Sequence, residues 1–344
     1  MIVVPGLSLK NLKPRVWDRK SPFFLRQLRA VMVSYADFHR LPSFRRAAMK
    51  SGLASWLGVP DGVDVYLDNG AFYFLGRPGP RPRRAYEEFV EHAAPNWWPI
   101  PQDYIPTPSM PARVQARCYE RTMEINRAYE RDGFVPVVHI GPHLSRYTSA
   151  LLKHPALRQK PRLALGGIVP NLLRTPKALA YAEVFKGLLH VRREFQSKHV
   201  HVFGIGGTAT IHVAALIKAD SVDSSGWRNR AARGLIQLPG SGERMVTNLG
   251  NWRGREPSRR EWEQLAECRC PACRTEGLKG LKSKGIQGFS YRATHNLFVL
   301  LEEAKWVERQ LAKGTYEREY QKRLDNSIYS PLIRELLRLQ ADLS

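Results

Sequence analysis

The sequence predicts an α/β chain: a (β/α)8 TIM-like barrel with a small zinc-binding insert and C-terminal helices. Three observations lead there. Short β-branched runs alternate with longer helical patterns, which suggests a parallel sheet. Seven or eight such repeats fit within the 344 residues, and a barrel of this kind takes about 250. The polar residues suited to chemistry fall where predicted strands end, as they do in barrel enzymes. A doubly wound open sheet is the alternative that the pattern alone leaves open.

The strand candidates in order are Val31–Tyr35 and Val63–Leu67, then a weaker one near Trp97–Gln102. Val135–Ile140, Arg162–Leu165, Val200–Ile205 and Ala219–Val222 follow, and Ile2–Val4 offers an eighth. Loop signals punctuate these runs. Helices are expected at Arg83–His92, Ala112–Arg131, Thr175–Lys198 and Ala209–Lys218. After Gly234 the character changes: 239–285 is rich in glycine, arginine and proline, and 294–343 is helical in pattern. The expected domains are therefore 1–238, the barrel with a basic N-terminal segment; 239–295, a zinc-binding subdomain; and 296–344, helices packing on the barrel.

A hydrophobic content of 43% reads as globular rather than disordered. No apolar run approaches the roughly 20 residues of a membrane helix, and no signal peptide is evident at the N-terminus. With thiols that look reduced, a cytoplasmic location and no membrane partner are expected. The net charge of +23 favours a polyanion. Residues 10–50 hold eleven Lys or Arg against two Asp, and the segment 76–84 (G-R-P-G-P-R-P-R-R) includes Arg77, Arg83 and Arg84. Phe72, Trp227 and Trp252 interleave the basic residues as candidate base-stacking rings.

Of four cysteines, Cys268, Cys270 and Cys273 fall within six positions, and His295 follows. Three thiolates and one imidazole make a closed tetrahedral shell, the mark of structural Zn2+. Four protein ligands leave no open position for catalysis. Cys118 stands alone and reads as an ordinary half-buried thiol.

Four motifs stand in order: L-D-N-G-A-F at 67–72, L-G-G-I at 165–168, D-S-V-D-S-S-G-W-R-N-R at 220–230, and the cysteine cluster. Together they resemble the tRNA-guanine transglycosylase superfamily over roughly residues 60–300. From the residues alone, Asp68 and Asp223 read as turn or capping carboxylates. The resemblance implies more. Asp223 becomes the nucleophile, Asp220 a structural partner and Asp68 the general acid/base. Phe72 would stack on the bound base, Asp103 would read its Watson–Crick face, and Gly166 and Gly167 would let the backbone approach it. Asn69 and Ala71 depart from the family's serine and second glycine, and His139 stands where the family usually has glutamine. Arg228 and Arg230 would lie near the nucleic-acid backbone. The glycines at 204–207 align with a family strand end rather than with a phosphate-binding turn.

The activity implied is base exchange. Guanine in a polynucleotide is replaced by a 7-deazaguanine such as 7-cyano-7-deazaguanine, through a covalent Asp223–sugar intermediate. The superfamily has tRNA branches and a DNA-modifying branch. The divergent motifs and the basic N-terminal segment lean towards DNA, with accessory modification proteins as further candidate partners. A tRNA enzyme with the same mechanism stays open. So does a non-catalytic, zinc-stabilised nucleic-acid-binding subunit. The sequence does not fix an oligomeric state.

Overall fold

The computed structural model describes residues 1–75, 77, 82–172, 175–250, 252–325, 327 and 329–342. Most of the basic 76–84 segment, namely 76 and 78–81, lies outside the described residues.

The fold is α/β. β1 (Ile2–Pro5), β2 (Ala30–Ser34), β3 (Asp64–Asp68), β4 (Val137–His139), β5 (Arg162–Gly166), β6 (His199–Val202) and β7 (Ser221–Ser224) are the parallel strands. Five form one sheet in the order β1-β7-β6-β5-β4, and β2 pairs with β3. β8 (Leu235–Gln237) and β9 (Glu243–Met245) form an antiparallel pair. Parallel bridges join Gly6 to Met32, Tyr66 to Trp97 and Pro99 to Val135. The weak candidate at Trp97–Gln102 is thus reduced to two bridging residues. Its prolines, Pro99 and Pro101, cannot donate to a ladder.

The strands alternate between two hydrophobic clusters, as a period of two requires. Val3, Val31, Val33, Val65, Leu67, Val138, Leu163, Leu165, Val200, Val202 and Val222 join the large cluster formed with the helices. Val4, Ala30, Met32, Tyr66, Val137 and Ala164 join a second, smaller cluster with Trp97 and Ile100. The second cluster shares its side of the strands with the candidate chemistry. Asp68 lies two residues beyond Tyr66, His139 two beyond Val137 and Gly166 two beyond Ala164.

The connecting helices include Arg83–Ala93, Ala112–Ala128, Tyr181–Glu194 and Thr210–Leu216. The helix expected over 175–198 is shorter than its pattern, beginning at Tyr181. Beyond β7 the longest helix runs from Gly285 to Ala312. The expected domain boundary after residue 295 falls inside it, so the metal-ligand region and the C-terminal helices share one continuous element. Buried His212, Glu303 and Tyr316 tie this helix to its neighbours: the His212 ring lies 2.9 Å from Glu303 Oε1 and 2.8 Å from the Tyr316 hydroxyl. Arg323 also donates to Glu303, which offsets the cost of burying its charge. No helix among the described residues is long and apolar enough to cross a membrane.

Candidate functional site

Strand parity carries Asp68, His139, Gly166 and Asp223 to the C-terminal ends of β3, β4, β5 and β7. Asp68 Oδ2 accepts from the Ser34 hydroxyl at 2.8 Å and from the Gly70 amide at 3.1 Å. Ser34 reaches it because β2 and β3 pair in register, Ser34 opposite Asp68. Burial pushes the Asp68 carboxyl up to about 7, and the negative charges of Asp223 and Asp103 add to the shift. The Ser34 and Gly70 bonds oppose it without cancelling it. A carboxyl so placed can exchange a proton near neutral pH.

Asp223 occupies a different setting. Its Oδ1 accepts from the Gly204 amide at 2.7 Å. Gly204 follows β6 with φ +78°, and a Cβ there would meet Val169 Cγ2 at 2.1 Å. Asp220 accepts from Arg192 Nη1 at 2.9 Å and from the Val200 amide at 2.8 Å, a structural role at the opposite end of β7.

Asp103 is nearly buried and held from two sides. Asn69 Nδ2 donates to Oδ1 at 2.8 Å and also to the Ile100 carbonyl at 2.9 Å. His139 Nε2 lies 2.7 Å from Oδ2. Gly166 and Gly167 sit against His139: a Cβ on Gly166 would stand 3.1 Å from its ring, and Gly167 has φ +76° with Ile140 O 3.0 Å from its would-be Cβ. Glycine therefore answers both to backbone conformation and to crowding. Phe72 is 53% exposed on the short helix Ala71–Phe74, so its face is open to a ligand.

The arginines divide. Arg228 is buried and donates to the Lys13 carbonyl at 2.6 Å and to that of Asn11. The expectation that it meets a nucleic-acid backbone is corrected: its donors hold the N-terminal segment. Burial lowers its pKa to about 10, still far above neutrality. Trp227 is likewise buried and donates to the Gly6 carbonyl at 3.2 Å, so it is not a stacking ring. Arg77 and Arg84 are exposed, and Arg77 lies over the Tyr73 ring at 3.9 Å. Arg83 donates to the Tyr129 hydroxyl at 2.6 Å, and Arg230 to Glu243 at 2.6 Å. Trp252 is exposed, with Arg233 4.3 Å from its ring centre.

The metal-type cluster assembles as expected. The ligand atoms of Cys268, Cys270, Cys273 and His295 lie within 4.8 Å of one another. His295 Nδ1 stands 3.5, 3.8 and 3.5 Å from the three sulfurs in turn. Edges of about 3.5 Å follow from tetrahedral Zn–S and Zn–N bonds of about 2.3 and 2.0 Å, so the set can hold a metal ion and fits zinc. His295 Nε2 faces the Gln237 carbonyl at 3.0 Å. A proton on Nε2 leaves the Nδ1 lone pair for the metal. The ligand lies ten residues into its helix, not at the helix start, and Asn296 beside it bonds to β8 through Gln237.

Sequence reasoning missed Ser34 and the Gly204 amide, which reach Asp68 and Asp223 from 34 and 19 residues away, contacts that no local motif reveals. No protein-family model matches the chain, and no curated protein matches it.

Proposed function

We propose that the chain is a nucleic-acid guanine transglycosylase, with DNA as the favoured polymer. The observation that carries this reading is the pairing of carboxyl environments at the strand ends. Asp68 is pushed up to about 7, within reach of the charge on Asp223, which sits under a backbone donor. Two carboxyls of unlike environment suit acid and nucleophile roles.

In this reading the strand ends belong to a (β/α)8 barrel. The three parallel bridges fall at the gaps between β1 and β2, β3 and the Trp97 segment, and that segment and β4. They supply the pairings that a ring of eight would need, and the smaller hydrophobic cluster would be its interior.

A flipped-out nucleotide would place its sugar between the two aspartates. An Asp223 oxygen attacks C1′ as the C1′–N9 bond breaks, and Asp68 gives its proton to the departing guanine. The incoming 7-deazaguanine returns a proton to Asp68. Its N9 bonds to C1′, and the Asp223–C1′ bond breaks. Asp103 accepts from the N–H edge of the base, and Phe72 covers its face. The metal-type cluster would hold structural zinc, which stiffens the insert and takes no part in the exchange. Arg77, Arg84, Arg233 and Trp252 would meet the polymer.

The test is incorporation of labelled guanine, and of 7-cyano-7-deazaguanine, into duplex DNA and tRNA side by side. Asp223→Ala is the control. Label in DNA that the variant lacks supports the reading. Label only in tRNA moves the substrate and keeps the mechanism. Label in neither, with tight DNA binding, points to a binding subunit.

A further inference from the structure

His201 is fully buried on β6 and faces the smaller cluster, with ring centres of Trp97 and Phe203 at 4.8 Å and of Tyr66 at 5.8 Å. Its Nε2 has no hydrogen-bond partner among the described residues and lies 3.6 Å from Asp223 Oδ1. That is too long for a hydrogen bond. Catalytic bonds are often long in a free enzyme and tighten when substrate binds. Its Nδ1 lies 2.9 Å from the Ser221 hydroxyl, which lies 3.0 Å from His199 Nε2. The chain His199–Ser221–His201–Asp223 therefore runs along the inner side of two paired strands, His201 opposite Ser221.

The direction of this chain is fixed by electrostatics. A bare Nε2 lone pair facing a carboxylate is repulsive, so Nε2 carries the proton. In a neutral ring Nδ1 then accepts, and Ser221 donates to it. A hydroxyl has one proton, so Ser221 accepts from His199 Nε2–H and from the Tyr66 hydroxyl, which also bonds to it. Burial lowers the pKa of His199, which keeps that ring neutral near pH 7.

We propose that His201 is a positioning residue for Asp223: its Nε2–H is the second donor to Oδ1, beside the Gly204 amide, and leaves Oδ2 as the attacking oxygen. The choice of attacking oxygen rests on the transglycosylase reading; the tautomer and the contact do not. Two donors on one oxygen fix the carboxylate plane and aim the other oxygen at a sugar carbon. The groups facing His201 are Asp223 and Ser221 from β7, Tyr66 from β3, and Trp97 and Phe203. No lysine or arginine appears in its hydrogen bonds or ring contacts among the described residues.

The first experiment reads the tautomer directly. Ring nitrogen shifts of His201 are recorded by 15N NMR on the full chain at neutral pH, and assigned with His201→Gln. The expected result is a protonated Nε2 and an accepting Nδ1. Ser221→Ala is expected to populate the Nδ1–H form, and Asp223→Asn to move the Nε2 shift. A His201 ring that is Nδ1–H in the unaltered protein, or indifferent to Asp223→Asn, overturns the proposal whatever the enzyme's substrate.

The second experiment follows covalent adduct formation with the active polymer. His201→Phe should slow it roughly 100-fold, the scale of one lost preorganised donor. His201→Gln, whose amide can reach Oδ1, should recover part of the rate. A His201→Phe variant that melts like the parent and forms adduct at the parent rate also overturns the proposal. If no adduct forms with any polymer while the tautomer is as expected, the transglycosylase reading fails and the contact stands.

Discussion

His139 Nε2 stands 2.7 Å from Asp103 Oδ2, with the imidazole fully buried and the carboxylate nearly so. The opposite nitrogen, Nδ1, lies 3.3 Å from the Tyr147 hydroxyl. Burial keeps Tyr147 a phenol, its pKa raised far above the ordinary value, so it remains able to donate. With Asn69 donating to Oδ1, both oxygens of Asp103 are held in place.

This orientation has a measurable cost when broken. His139→Leu removes the buried imidazole that meets Asp103 Oδ2, and stability should fall by about 2–3 kcal/mol. His139→Gln restores a donor and should recover most of the loss. Chemical denaturation of the three proteins decides it.

Asp68 makes stability depend on pH. Its carboxyl is raised from 3.8 to about 7 in the folded chain. Between those values the folded state holds a proton that the unfolded chain has released. The group's contribution to stability is therefore greatest at the acid end, falls as pH rises through this window and levels off above it. Asp68→Asn removes the ionisation and should melt higher than the parent at pH 8, with the gap closing near pH 4. Melting temperatures across pH 4–8 test the sign.

Metal should be integral to the insert. One zinc per chain is expected by elemental analysis, and Cys270→Ser should lower that content and the melting temperature together. Metal affinity depends on thiolates and a neutral imidazole, so acidification should release the ion. A fully folded protein that carries no metal would contradict the zinc reading.

Arg228→Ala should act on folding rather than on nucleic-acid binding. It removes donors to the Asn11 and Lys13 carbonyls, at a cost of about 3 kcal/mol for charged hydrogen bonds. Limited proteolysis should then cut the N-terminal segment sooner. Arg233→Ala, at an exposed position, should leave stability within about 0.5 kcal/mol and weaken polymer binding at low salt.

The two tryptophans should separate in the same way. Trp227→Ala opens a cavity in the core and should cost about 3–5 kcal/mol. Trp252→Ala should leave melting unchanged and weaken binding of an unpaired strand by about 1–3 kcal/mol. Paired melting and binding curves distinguish them.

The α/β class, the positions of most strands and the metal-type cluster are all legible in the chain before it folds. Those signals are local: β-branched runs such as Val31–Val33, loop glycines, and three thiols within six positions. Asp68, His139 and Asp223 are legible at strand ends in the same way, because parity and loop punctuation are written in adjacent residues. The tertiary structure alone decided which side chains meet. Ser34 reaches Asp68 through strand register, Asn69 and His139 converge on Asp103, and His201 lies beneath Asp223 across a strand pair. It also decided that Arg228 and Trp227 turn inward. Their seven-residue helix is too short for a polar–apolar period to distinguish its faces, and a guanidinium is buried only when distant carbonyls, here those of Asn11 and Lys13, are brought to satisfy it.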